Sequence, residues 1–369
     1  MDRKAEVEAK LASVRASLDD QSLVGCLFAS QNGFAWITAG GQDHVSLGGD
    51  KGVASVLVTP DAAHLLTPNI ERRRLLEEEI PGLPFEPVEW EWHDAEAPAR
   101  LVADLCDTSQ AVADIPAHGL RQAGPGLIRL RYTLLPPEVE RYRLLGKEAA
   151  RAVESACRSA SVGDTELDVA ARLAAACQEH DIQALVNLVA AGDRIARYRH
   201  PLPTSNRVGG TLLVAVTGRR HGLHASLTRM ASFGPPDPET SRRHEAVQRV
   251  DARIISESRP GVTLGTVLEA GLEQYAEEGF ADEWRLHHQG GLTGYAGREI
   301  FGVPGAPHVL ELNQALAWNP SITRVKSEDT VLVTGELPEV LTQTDDWPLV
   351  KVDTRRGPVE RPGLLEREG

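Results

Sequence analysis

The 369-residue chain has no excess of positive charge: 39 Lys and Arg stand against 53 Asp and Glu, for a net charge of −14. A nucleic-acid binder needs clustered cations to displace the counterions of its phosphates, so nucleic acid is not expected as a main partner. Cysteine is scarce too. Cys26, Cys106, Cys157 and Cys177 lie far apart and form no Cys-x-x-Cys pair. That argues for buried free thiols in a reducing compartment, not for a disulfide framework or a cysteine-held metal. Long apolar runs are missing; no window approaches the about 18 residues a membrane span needs. The opening stretch, MDRKAEVEAKLASVRASLDD, is charged and lacks the apolar centre of a signal peptide. It reads as an amphipathic helix, and the expected setting is the cytoplasm.

What is present is an ordinary globular balance, 41% apolar and 25% charged, over a length that suits two domains. Residues 1–135 alternate strand and helix signals, as an α/β domain does. SLVGCLFASQNGFAWITA holds two short apolar runs broken at Gln31-Asn32-Gly33, which predicts a hairpin turn. GVASVLVT predicts a strand and NIERRRLLEEEI a helix. Pro136-Pro137 closes one element and opens a long helix. A second helix follows in TELDVAARLAAACQEHDI, with Thr165 as its cap. The strands ALVNLVAAG, TLLVAVTG and GLHASLTRMASFG come next. Two further helices follow, in PETSRRHEAVQRVDARIISESR and RPGVTLGTVLEAGLEQYAEEGF, and then strands to the end. The expected organisation is a smaller α/β domain at 1–135 and an α+β domain at 136–369.

Several of these landmarks occur in a telling order: GLHASLTRMASFG, then RPGVT before a helix ending in EEGF, then SEDTVLVT. The succession resembles the pita-bread family of methionine aminopeptidases, Xaa-Pro peptidases and creatinase. It covers about residues 137–350, and NGFAWITAGG extends it into a creatinase-type N-terminal domain. The resemblance implies a pita-bread fold, a small-molecule or short-peptide substrate and a homodimer. It also implies a site. The family's metal peptidases hold two divalent ions with two Asp, one His and two Glu, and the bridging hydroxide is the nucleophile. The matching positions here are Ala215, Ser226, Gly291, Asn319 and Glu328. One carboxylate cannot hold a dinuclear centre, so neither a catalytic metal nor another cofactor is expected. In a register shifted by four, His287 would take the histidine slot instead of Gly291. The pair Gly290-Gly291 is expected to leave room for substrate where the ligand imidazole would stand.

Chemistry without that centre needs other groups. His200, in RIARYRHPLPT, matches the histidine that serves creatinase as general acid–base, a role suited to a group titrating near neutrality. The alternative is a structural turn histidine. His287 and His288 in HHQGGLTGYAGRE would alternate sides on a strand, so only one would face a pocket. Arg298 is either a bidentate clamp for a carboxylate or a surface ion pair. Glu328 can hold a substrate cation, act as a base, or pair with Lys326. Asn319 can orient substrate through its amide; Tyr295 and Gly291 complete the expected substrate contacts. Three readings stay open. One is a metal-independent hydrolase or lyase acting on a small C–N-bonded substrate. The second is a non-catalytic binding protein. The third is an aminopeptidase whose metal is held by substitute ligands among His200, His287 and His288 with Glu328.

Overall fold

The computed structural model describes residues 1–368. It divides into two compact units: residues 1–138 with 221–223, and residues 139–220 with 224 onward.

The first unit opens with the helix Arg3–Asp20, capped by the Asp2 carboxylate on the amide of Ala5. Its apolar residues Val7, Leu11, Val14 and Leu18 recur at helical spacing, and all four are buried. A six-stranded mixed sheet runs in the order Glu86–Trp90, Ala63–Pro68, Lys51–Val58, Gly25–Ser30, Ala111–Ala113, Arg121–Gln122. The hairpin expected at Gln31-Asn32-Gly33 is not there. Gln31–Ile37 is a helix that starts directly at the end of the strand Gly25–Ser30. Ser30 Oγ caps it by accepting from the Gly33 amide at 2.8 Å, while the buried Asp114 carboxylate accepts from the Ala29 amide at 2.7 Å. A side-chain cap fixed by a distant carboxylate outweighs the local turn preference of Asn-Gly.

The second unit carries the helices Pro136–Ser159 (from its fourth residue on), Glu166–Gln178, Pro238–Glu257 and Leu264–Glu277. Thr165 caps the second of these in a reciprocal box with Asp168. Two sheets accompany them. One has the order Leu365–Arg367, Leu223–Phe233, Thr211–Arg220, Gln183–Ala191. The other has the order Ile300–Phe301, Gly290–Thr293, Ala315–Trp318, Asp329–Leu332, Glu339–Val340, and all its pairings are antiparallel. The sheets meet where Thr228 donates its amide to the Glu328 carbonyl at 3.1 Å and Ser226 donates its amide to Thr330 Oγ1 at 2.8 Å. Beneath that junction lies a buried ionic network. Arg361, fully enclosed, reaches both Asp251 and Asp329, and Arg229 pairs with Asp329 at 3.0 Å. Removing one member would leave an uncompensated charge in the core.

The space expected beside Gly291 is filled. Gly290 and Gly291 have φ of +104° and +147°, and a Cβ at position 291 would run into the Ile300 carbonyl and the Gly302 amide. The strand Ile300–Phe301 pairs directly over Gly291, so the glycine serves close backbone approach and leaves no opening. Gly291→Ala should therefore cost at least about 2 kcal/mol, read as a lower denaturation midpoint at unchanged slope; an unaltered midpoint would contradict this packing.

His244, buried in the helix Pro238–Glu257, gives a second expectation. Burial, with Arg361 adding to it, pushes its imidazole down from 6.5 to about 4. The unfolded chain thus takes up this proton first. The contribution of the neutral ring is complete above pH 6.5 and is lost as pH falls towards 4, by about 3 kcal/mol. In urea titrations, His244→Leu should lose less stability than the parent between pH 7 and pH 4.5. Equal losses would show that His244 does not carry this part of the acid sensitivity.

Candidate functional site

A cavity of about 560 Å³ opens in the second unit. Leu185, Val186, Leu188, Leu202 and Phe301 give it an apolar wall. The polar side is formed by His200, His288, Asn187, Asn319, Arg298, Lys326 and Glu328.

Glu328 is nearly buried and held from several directions. Lys326 Nζ lies 2.7 Å from its Oε2, Thr228 Oγ1 donates to the same oxygen at 2.6 Å, and Arg298 stands 3.7 Å from Oε1. Burial alone would raise its pKa. The Lys326 and Arg298 charges, with hydrogen bonds from Lys326 and Thr228, outweigh burial and hold the carboxyl below its ordinary range. Burial lowers Arg298 in turn, and Glu328 partly offsets it.

The histidines form a second group. His200 Nε2 and His287 Nε2 are 3.1 Å apart, and His287 Nδ1 is 3.1 Å from Ser321 Oγ. His287 is buried behind the wall; His200 and His288 are exposed and line the cavity. His287 and His288 lie in a bend and a coil ahead of the strand Gly290–Thr293, so no strand alternation separates them. Their rings are 4.7 Å apart, and those of His200 and His287 4.8 Å. All three are shifted towards the neutral form. For His200, burial dominates, then Lys326, with Glu328 opposing. His287 is lowered most, by burial and then Lys326. His288 is pushed down to about 4 by burial and then Arg298.

The structure thus gathers His200, His287, His288, Arg298, Asn319 and Glu328 in one place. Tyr295 and Gly291, expected as substrate contacts, stand elsewhere: Tyr295 is fully buried, Gly291 is covered by its neighbouring strand, and neither lines the cavity. Two lining residues had no functional signal in the sequence. Lys326 was visible only as an ion-pair partner, and Asn187 sits inside an apolar strand pattern, where a lone polar residue was the one available sign. Asn187 Oδ1 and Asn319 Oδ1 are buried acceptors without a hydrogen-bond partner, and Arg298 Nε is a buried donor without one.

A dinuclear metal centre does not fit these side chains. Ala215, the position that the resemblance matches to the first aspartate, lines the cavity. Ser226 is buried and shares a 2.9 Å hydrogen bond with Thr217 Oγ1. Position 291 admits no side chain, and among the described residues Glu328 is the only carboxylate lining the cavity. Its two oxygens already face two cations and a hydroxyl.

Known proteins share this fold. An uncharacterized peptidase of Staphylococcus aureus strain MW2 is 24% identical over 225 residues, which is 58% of this chain and 63% of the relative. The match therefore spans less than two thirds of that relative's length. Among solved structures, the Xaa-Pro dipeptidase from Bacillus anthracis superposes with a TM-score of 0.78 at 16% identity, over 98% of this chain and 100% of the other. The prolidase from Pyrococcus horikoshii OT3 gives 0.77 at 17%, over 91% and 99%. The fold is thus the expected pita-bread fold with its N-terminal domain. The model of metallopeptidase family M24 matches residues 140–335, more than half of the sequence, and the chain belongs to that family.

Proposed function

We propose that this chain is a metal-independent hydrolase or lyase of a small C–N-bonded substrate, with His200 as its general acid–base. The observation that carries the reading is the contact between His200 and the buried His287, itself tied to Ser321, at the wall of the cavity. When His287 donates from Nδ1 to Ser321 Oγ, its Nε2 accepts from His200. His200 is then oriented with a free Nδ1 lone pair to take a proton and return it. Neutral imidazoles in this environment are competent as bases at physiological pH.

The unpaired groups suggest the substrate class. Asn187 Oδ1 and Asn319 Oδ1 call for N–H donors, and Arg298 Nε calls for an acceptor. A small amide, guanidino or dipeptide-like molecule carrying a carboxylate meets both demands, with Arg298 and Lys326 as its anion contacts. The apolar wall suits a short aliphatic or prolyl portion. No helix among the described residues is long and apolar enough to cross a membrane. The proposed setting is the cytoplasm and the proposed assembly a homodimer.

The test is a screen of carboxylate-bearing amides, guanidino compounds and Xaa-Pro dipeptides with chelator-treated full-length protein. Turnover should fall by about 10²–10⁴ in His200→Ala, while substrate affinity in calorimetry changes little. Turnover that survives His200→Ala, or that needs added metal, would overturn the reading. Binding without turnover across the screen would favour a ligand-binding protein built on the same pocket.

A further inference from the structure

His288 has no part in the reaction proposed above, yet its ring stands beside the other two. The ligand nitrogens of His200, His287 and His288 lie within 4.8 Å of one another. The three ring separations are 4.7, 4.8 and 5.6 Å. We propose that His200, His287 and His288 form a mononuclear site for a nitrogen-preferring divalent transition metal such as zinc, with its fourth position open to the cavity.

Tetrahedral zinc with Zn–N bonds of about 2.0–2.1 Å needs ligand nitrogens about 3.3 Å apart. His200 Nε2 and His287 Nε2 are already 3.1 Å apart. His288 is exposed on the cavity wall, with a ring nitrogen within 4.8 Å of the other two. The supporting shell is present too. Ser321 Oγ holds His287 Nδ1, which leaves Nε2 free to ligate, and Arg199 donates to the same hydroxyl at 3.4 Å. Phe301 packs at 5.2 Å from the His288 ring and backs it with an apolar surface.

The charges nearby set the selectivity. Lys326 and Arg298 oppose a dication, and Glu328 offsets one of them. A hard ion such as magnesium needs oxygen ligands, and the trio offers none, so only a metal that bonds strongly to imidazole overcomes the repulsion. The site shares no residue with the family-matched positions Ala215, Ser226, Gly291, Asn319 and Glu328. It is therefore a different centre from the paired one of the metal peptidases.

Occupancy would tie up His200. If His200 is the acid–base group, zinc inhibits turnover and a chelator restores it. That consequence rests on the functional reading above, whereas metal binding does not, and calorimetry without substrate separates the two. Chelator-stripped full-length protein would be titrated with zinc chloride and with magnesium chloride. Cobalt(II) would be followed by its visible absorption, which reports four-coordinate geometry. The expected result is one zinc per chain, no magnesium binding and a tetrahedral cobalt spectrum. Ser321→Ala should weaken zinc roughly 10-fold, and His288→Ala roughly 100-fold or more. His200→Ala should act like His288→Ala, which guards against a folding defect in either variant. Failure to bind zinc, two ions per chain, or an affinity indifferent to both histidine substitutions would each overturn the proposal.

Discussion

The pocket depends on the ion pair between Lys326 and Glu328. A carboxylate this deeply buried is tolerable only if its charge is met, and here Lys326, Arg298 and the Thr228 hydroxyl meet it. Thr228 can reach it because the two sheets of the second unit join at that point, through the Thr228 amide and the Glu328 carbonyl. The next residue, Asp329, is locked into the ionic core by Arg229 and Arg361. Fold and site are therefore coupled at adjacent positions, and the electrostatics of the cavity are set by side chains of the protein itself.

That arrangement governs the rest of the polar wall. Two cations and one carboxylate leave the site with a surplus of positive charge, which together with burial favours neutral imidazoles. Neutral rings can exchange protons with a substrate or donate lone pairs to a transition metal, and the two proposed uses would compete for His200. Asn187 and Asn319 also line the cavity, and their amide oxygens are buried without a hydrogen-bond partner. The cavity thus carries cations, amide groups and an apolar wall on different sides; the proposed small, carboxylate-bearing substrate rests on that division.

Much of this was legible in the sequence where physics is local. Pro136-Pro137 opens its helix, Thr165 caps the next, and the order of apolar strands and helices matches the family frame. His200 and Glu328, singled out by their place in the family frame, both line the cavity. What failed were inferences about space and about distant partners. Asn32-Gly33 reads as a turn only until Asp114, far along the chain, is known to fix Ser30 as a helix cap. Gly291 reads as vacated room, yet its missing side chain is what lets the strand Ile300–Phe301 close over it. Tyr295 is expected among the substrate contacts, but its ring is in the core. Asn187 carries no motif at all; its meaning comes from an orphaned oxygen that only three-dimensional packing reveals.

In the proposed function, protein cations occupy the electrostatic role that paired metal ions hold in the family's metal peptidases. Anomalous diffraction from crystals soaked in manganese(II) tests it most directly. No peak is expected within bonding distance of Glu328, with Lys326 Nζ retained beside its carboxylate. A pair of manganese peaks bridged by Glu328, with Lys326 swung away, would contradict it.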